Sequence, residues 1–178
     1  MNKGLVIAGV TAGVVLCAAA GFCADKKAPL ETVQKVELGK YLGLWYEIAR
    51  FPTWFQKAGS SATAEYSLRE DGKINVLNTS YFADGKTEKA KGKAWVADKN
   101  TNAKLKVSFF WPFAGDYWVI QLGEKYDYAV VGHPGRNYLW ILCRTPQMDA
   151  ALYDRVIEKL KEQGYDTNKI FKDPPVKK

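Results

Sequence analysis

The chain has 178 residues, 47% of them hydrophobic and 25% charged, with a formal net charge of +7. That length suits one domain, and so ordinary a composition excludes a disordered or collagen-like chain. Six Trp, ten Tyr and eight Phe stand against one His, three Cys and two Met, which excludes a multi-His metal centre and favours binding over catalysis.

Met1-Asn2-Lys3 is a short positive start, Gly4 to Leu16 is apolar, and Ala18-Ala19-Ala20 gives an A-x-A cleavage pattern. Residues 1–24 therefore read as a secretory signal peptide, cut within 20–24. The uncharged run from Gly4 to Ala24, about 21 residues, is also long enough to span a bilayer, but its Gly/Ala richness and cleavage pattern favour a signal. Cys17 and Cys23 lie in or beside this stretch. A lipid anchor needs a small residue just before the acylated Cys, and Leu16 and Phe22 match that poorly. Cleavage at or beyond Cys23 leaves Cys143 without an internal disulfide partner. The expectation is an exported protein, periplasmic or associated with an outer membrane. Losing the leader removes Lys3 and no acid, so the charge becomes +6. Acids are interspersed throughout. With no Lys/Arg block, nucleic acid is not an expected partner; mild attraction to anionic surfaces is.

Residues 25–38 read as a polar linker. Period-two segments follow, separated by turn residues: strands are predicted at 43–51, 62–69, 73–82, 86–97, 103–109, 116–122, 128–132 and 138–143. Asp71-Gly72 and Asp84-Gly85 mark hairpins. Alternation is clean at 103–109, where Leu105, Val107 and Phe109 oppose Lys104, Lys106 and Ser108. Sequential hairpins without βαβ spacing predict an all-β fold, an eight-stranded antiparallel up-and-down β-barrel, with a sandwich as the competitor. One helix follows. Asp149 can cap it, Gly164 can end it, and Leu152, Tyr153, Val156, Ile157 and Leu160 form its apolar stripe, to be packed outside the barrel. A short strand is expected near Ile170-Phe171, and residues 173–178 read as a tail.

Gly43-Leu44-Trp45, then Tyr126-Asp127-Tyr128, then Arg144 at the end of the last barrel strand resemble, in order, the three motif regions of the lipocalins. The resemblance covers about 39–171 and is strongest toward the bacterial outer-membrane lipocalins and their relative apolipoprotein D. Tyr126 departs from the Thr of the family pattern. The resemblance implies an eight-stranded barrel (residues 39–172 with the helix) that binds fatty acids or lysophospholipids at the cell envelope, without cofactor or covalent step.

In such a barrel the first and last strands and the turn at 123–127 meet at one end. Gly43, Trp45, Asp127 and Arg144 are therefore expected to close the floor, the guanidinium stacked on the indole. The mouth then carries Trp54 and Phe55 on one loop and Trp111 and Phe113 on another, suited to a lid over an oily ligand or to membrane contact. Strand parity places Ala49, Tyr66, Val76, Asn78, Ala94, Val107, Phe109, Tyr117, Val119, Tyr138 and Trp140 inside, as an apolar wall with a few hydroxyl and amide groups. The same residue types could fill a packed core. The alternative function is thus a structural or interaction barrel that uses its aromatic loops and holds no ligand. No nucleophile elbow, phosphate-binding loop or metal spacing is present, so an enzyme is not expected. The partner expected is a lipid small molecule, for a monomer or homodimer.

Overall fold

The computed structural model describes residues 28–176; the leader expected at 1–24, with Cys17 and Cys23, and the last two residues lie outside this range. Its strands are β1 (Gly43–Arg50), β2 (Ser61–Leu68), β3 (Ile74–Tyr81), β4 (Thr87–Val96), β5 (Lys104–Phe110), β6 (Phe113–Leu122), β7 (Tyr128–Gly132), β8 (Leu139–Cys143) and β9 (Phe171–Lys172). Two helices, α1 (Leu38–Tyr41) and α2 (Ala150–Glu162), and a 3-10 turn at Thr167–Lys169 complete the described residues. All neighbouring strands pair antiparallel in sequence order, and β1 closes the sheet by pairing with both β2 and β8. This is the expected eight-stranded barrel, with β9 as an extra strand on the mouth half of β1, where Ala49 meets Lys172 and Arg50 meets Phe171.

The barrel packs in two layers. Inside, Trp45, Val76, Ala94, Leu105, Val119, Val131 and Leu142 form one buried cluster. Outside, Val156 and Leu160 of α2 pack on Ile120, Val130, Leu139 and Ile141. This explains why 128–132 and 139–143 are almost continuously apolar: alternate residues of β7 and β8 face the interior and the helix, and neither face meets water. Each such side chain contributes about 1.5–3 kcal/mol on burial. The Asp149 carboxylate caps α2 by accepting the Leu152 N–H at 2.9 Å. Gly164 follows α2 at φ +81°, a left-handed conformation that stops the helix.

Two expectations need correction. The stretch read as a polar linker is packed: Leu30 and Val36 are buried, the Val33 N–H donates to Val119 O, and the Val36 N–H to Thr101 O. Leu30, Val33 and Val36, spaced among polar residues, fit no strand or helix period, yet each finds a hydrophobic slot. The sixth strand starts at Phe113 and not at 116, because β5 and β6 continue past an irregular register after Val107 to pair again at Phe110↔Phe113. The loop expected at 110–115 shrinks to a tight turn on a projecting hairpin.

Candidate ligand-binding site

The closed end is built around Arg144. Its guanidinium carbon lies 3.7 Å above the Trp45 ring. Its N–H groups donate to the carbonyls of Leu44 (2.7 Å), Lys40 (2.7 Å), Leu42 (2.9 Å) and Tyr126 (3.3 Å). Trp45 is fully buried and its indole N–H donates to Tyr41 O at 2.8 Å. Gly43 sits at φ +91°, a left-handed conformation that favours glycine, with Arg144 Nη1 within ordinary contact distance of where a Cβ would be. Asp127 takes part through its backbone: its carbonyl accepts the Arg144 N–H at 2.8 Å, while its carboxylate lies over Gly123.

Next to the indole is a tyrosine trio. The Tyr117 hydroxyl is bonded to those of Tyr41 (2.7 Å) and Tyr66 (3.0 Å). Burial pushes Tyr66 up to about 12 and Tyr41 and Tyr117 well above the usual phenol range. The trio therefore presents neutral hydroxyls to the interior at physiological pH.

Toward the mouth lies an ionic cluster. Arg50 Nη1 donates to Glu47 Oε1 (2.6 Å) and Asp173 Oδ1 (2.5 Å), and Nη2 to Lys57 O (3.0 Å). The side chains of Arg50 and Asp173 are fully buried. Gln56 reaches in from the 51–60 loop and donates to both Glu47 oxygens at 3.1 Å. Its own Oε1 accepts the Trp140 indole N–H at 3.0 Å. The cluster thus ties the mouth loop, the barrel wall and β9 together.

Burial, then the neighbouring Glu47 carboxylate, raises Asp173 to about 8, against the opposing pull of Arg50. The folded state accordingly binds a proton that the unfolded chain, titrating near 3.8, releases earlier. The associated stability is present in full below pH 3.8 and is lost as pH rises through about 8. Denaturant unfolding from pH 5 to 8 should show stability falling with pH, with a flatter dependence in Asp173→Asn; parallel curves would contradict this.

The inward-predicted residues divide by depth. Tyr66, Val76, Ala94 and Val119 face inward but are buried in the packed floor. Val107, Tyr117 and Trp140 join the same cluster yet stay partly exposed, as does Asn78, whose Oδ1 has no hydrogen-bond partner. Tyr138 stacks on Trp140 at 5.9 Å. Phe109 is 44% exposed and its ring lies against Gly92. Ala49 is not inside: the β1–β8 register shifts between Glu47 and Ala49, and this bulge turns Ala49 outward under α2. Phe55 covers the Tyr138–Trp140 stack with centroids 6.2 and 6.5 Å away, and Trp54 meets Phe55 edge-on. Trp111 and Phe113 occupy the separate β5–β6 tip, where Phe113 stacks on Phe110.

Sequence reasoning missed Tyr41, Glu47, Arg50, Gln56 and Asp173. Inward parity with Trp45 could have flagged Glu47. Arg50 could not be found so, because three residues on a regular strand point to opposite faces and only the bulge brings the pair together. Among the described residues no group of His, Cys, Asp and Glu could hold a metal, and no helix is long and apolar enough to cross a membrane.

The family profile described as a lipocalin-like domain matches residues 36–175. The chain is 44% identical over 151 residues to the outer membrane lipoprotein Blc of Vibrio cholerae, covering 84% of this chain and 88% of that protein. It is 36% identical over 139 residues to apolipoprotein D of Macaca fascicularis, covering 74% and 72%. Insecticyanin from the tobacco hornworm Manduca sexta superposes with a TM-score of 0.68 at 21% identity, covering 84% of this chain and 86% of that one, which speaks to the fold alone.

Proposed function

This chain belongs to the lipocalin family, and from that premise we propose that it is an exported carrier of a fatty acid or lysophospholipid at the cell envelope. Binding is reversible partition of an acyl chain into the mouth half of the barrel, with no covalent step. One observation carries this reading: the inward side chains Val107, Tyr117, Tyr138 and Trp140 stay only partly buried, and Phe55 lies over the last two. They surround neutral hydroxyls and an unpaired amide oxygen. Ten methylenes buried there would supply about 8 kcal/mol, enough for micromolar affinity without an ionic anchor. The leader read at 1–24 and the Blc relatives support the envelope location, and the exposed mouth aromatics support contact with a membrane surface.

Titration with a fluorescent fatty acid should saturate and quench tryptophan. No saturable binding together with no quenching would overturn the carrier reading. Trp140→Ala removes a wall and the anchor of Gln56, and should weaken binding about tenfold. Unchanged affinity with an unchanged melting temperature would remove Trp140 from the site.

A further inference from the structure

The barrel wall is incomplete on one side of the mouth. β4 pairs with β3 along its whole inner length, from Ile74↔Ala94 to Tyr81↔Thr87. Its ladder with β5 runs only from Val96↔Leu105 to Lys93↔Ser108. Thr87–Lys91 therefore forms a free edge, and each of its residues is exposed, inward-facing Ala90 included. Beyond Ser108 the β5–β6 hairpin projects on its own. At the apex of the split stands Phe109. A Cβ added to Gly92 would come within 2.8 Å of the Phe109 ring, so the ring lies directly on the inner face of Gly92 and covers the notch.

The surface around this split has one chemical character. Phe110, Trp111 and Phe113 at the hairpin tip are 75%, 79% and 71% exposed, too much to be explained by packing on each other. Beside them, Lys89, Lys91 and Lys93 alternate along the outer face of β4 and are exposed. The nearby carboxylates are already engaged: Glu88 with Lys57 (2.8 Å), Asp84 with Lys86 (2.9 Å) and Asp116 with Lys106 (2.8 Å). Aromatic tips flanked by unpaired lysines match the apolar interior and anionic headgroups of a lipid surface. A strand edge lined with lysines is, in contrast, poorly suited to adding a protein strand.

We propose that the β4–β5 split is a lateral portal, gated by Phe109, that faces an anionic lipid bilayer docked by Phe110, Trp111, Phe113 and the β4 lysines. An acyl chain passes sideways between the strands into the barrel and does not have to leave the membrane through water. This rests on the carrier reading and adds the route and the surface.

The test is stopped-flow transfer of an anthroyloxy fatty acid from vesicles to the protein. Vesicles of phosphatidylethanolamine with phosphatidylglycerol are compared with phosphatidylcholine alone, and the same probe is titrated in vesicle-free buffer. Transfer should be faster from the anionic vesicles and slow with added salt. Lys89→Glu/Lys91→Glu should reduce that transfer at least tenfold while leaving the vesicle-free affinity unchanged. Phe109→Ala should accelerate transfer severalfold, and Phe109→Trp should slow it. Transfer independent of vesicle charge, or indifferent to both Phe109 variants, would overturn the portal even if vesicle-free binding holds. Loss of vesicle-free binding in the unaltered protein would instead overturn the carrier reading. A homodimer in vesicle-free buffer that buries Trp111 would assign the surface to a second copy and overturn the lipid docking.

Discussion

Arg50→Ala is expected to lower the unfolding free energy by about 3–5 kcal/mol, the cost of leaving the buried Glu47 carboxylate without its counter-charge and Asp173, protonated at neutral pH, without its hydrogen-bond donor. Two acidic groups depend on one guanidinium nitrogen: Glu47 at 2.6 Å and Asp173 at 2.5 Å, with Asp173 fully buried. Arg50 also holds the Lys57 carbonyl, so its removal frees the mouth loop and β9 together. Denaturant unfolding measures the loss, and limited proteolysis should show earlier cleavage in 51–60 and near the C-terminus. Because the penalty comes from the orphaned Glu47 charge, adding Glu47→Gln to Arg50→Ala should recover most of it. A loss under about 1 kcal/mol would mean that water reaches the cluster and screens it, as at an exposed ion pair.

The second large effect lies at the opposite end. Trp45→Ala should cost about 3–5 kcal/mol, as expected for deleting a fully buried indole from a packed interior. Arg144→Ala should cost about 2–3 kcal/mol through its charged hydrogen bonds to the carbonyls around α1. The two are coupled by direct stacking at 3.7 Å. The double variant should therefore lose about 1–2 kcal/mol less than the sum of the singles. Additive losses would show that the guanidinium acts only as a clamp on the chain, with no energetic contact to the ring. Arg144→Lys should recover little, since a lysine offers one point charge where the guanidinium bonds five carbonyls.

These two ends were not equally legible. Gly43, Trp45 and Arg144 could be placed from sequence because strand order and the family motifs fix where the first and last strands meet. The Tyr66, Trp140 and Tyr138 positions followed from parity alone. Ala49 did not, because one bulge in β1 reverses parity beyond Glu47. The same bulge puts Arg50 beside Glu47, and the carboxylate that completes the cluster comes from 123 residues further along the chain. The packed floor was also hidden. Val76 and Val119 look identical in sequence whether they line an open cavity or fill a core, and only the distances between walls decide.

What the sequence determined by itself is local or periodic. Alternation with a period of two set eight strands, Asp-Gly pairs set the hairpins, and Asp149 and Gly164 set the limits of α2. The antiparallel order then followed, since each strand is short and joined to the next without a helical crossover, the longest connection being the 51–60 loop. What only the tertiary structure decided is non-local. Leu30 and Val36 pack on the barrel, β4 and β5 separate above Lys93, and Glu47, Arg50 and Asp173 share one buried charge cluster. Each depends on energies between residues far apart in the chain. Burying a charge is favourable only when its partner arrives from another element, and no window of sequence contains both.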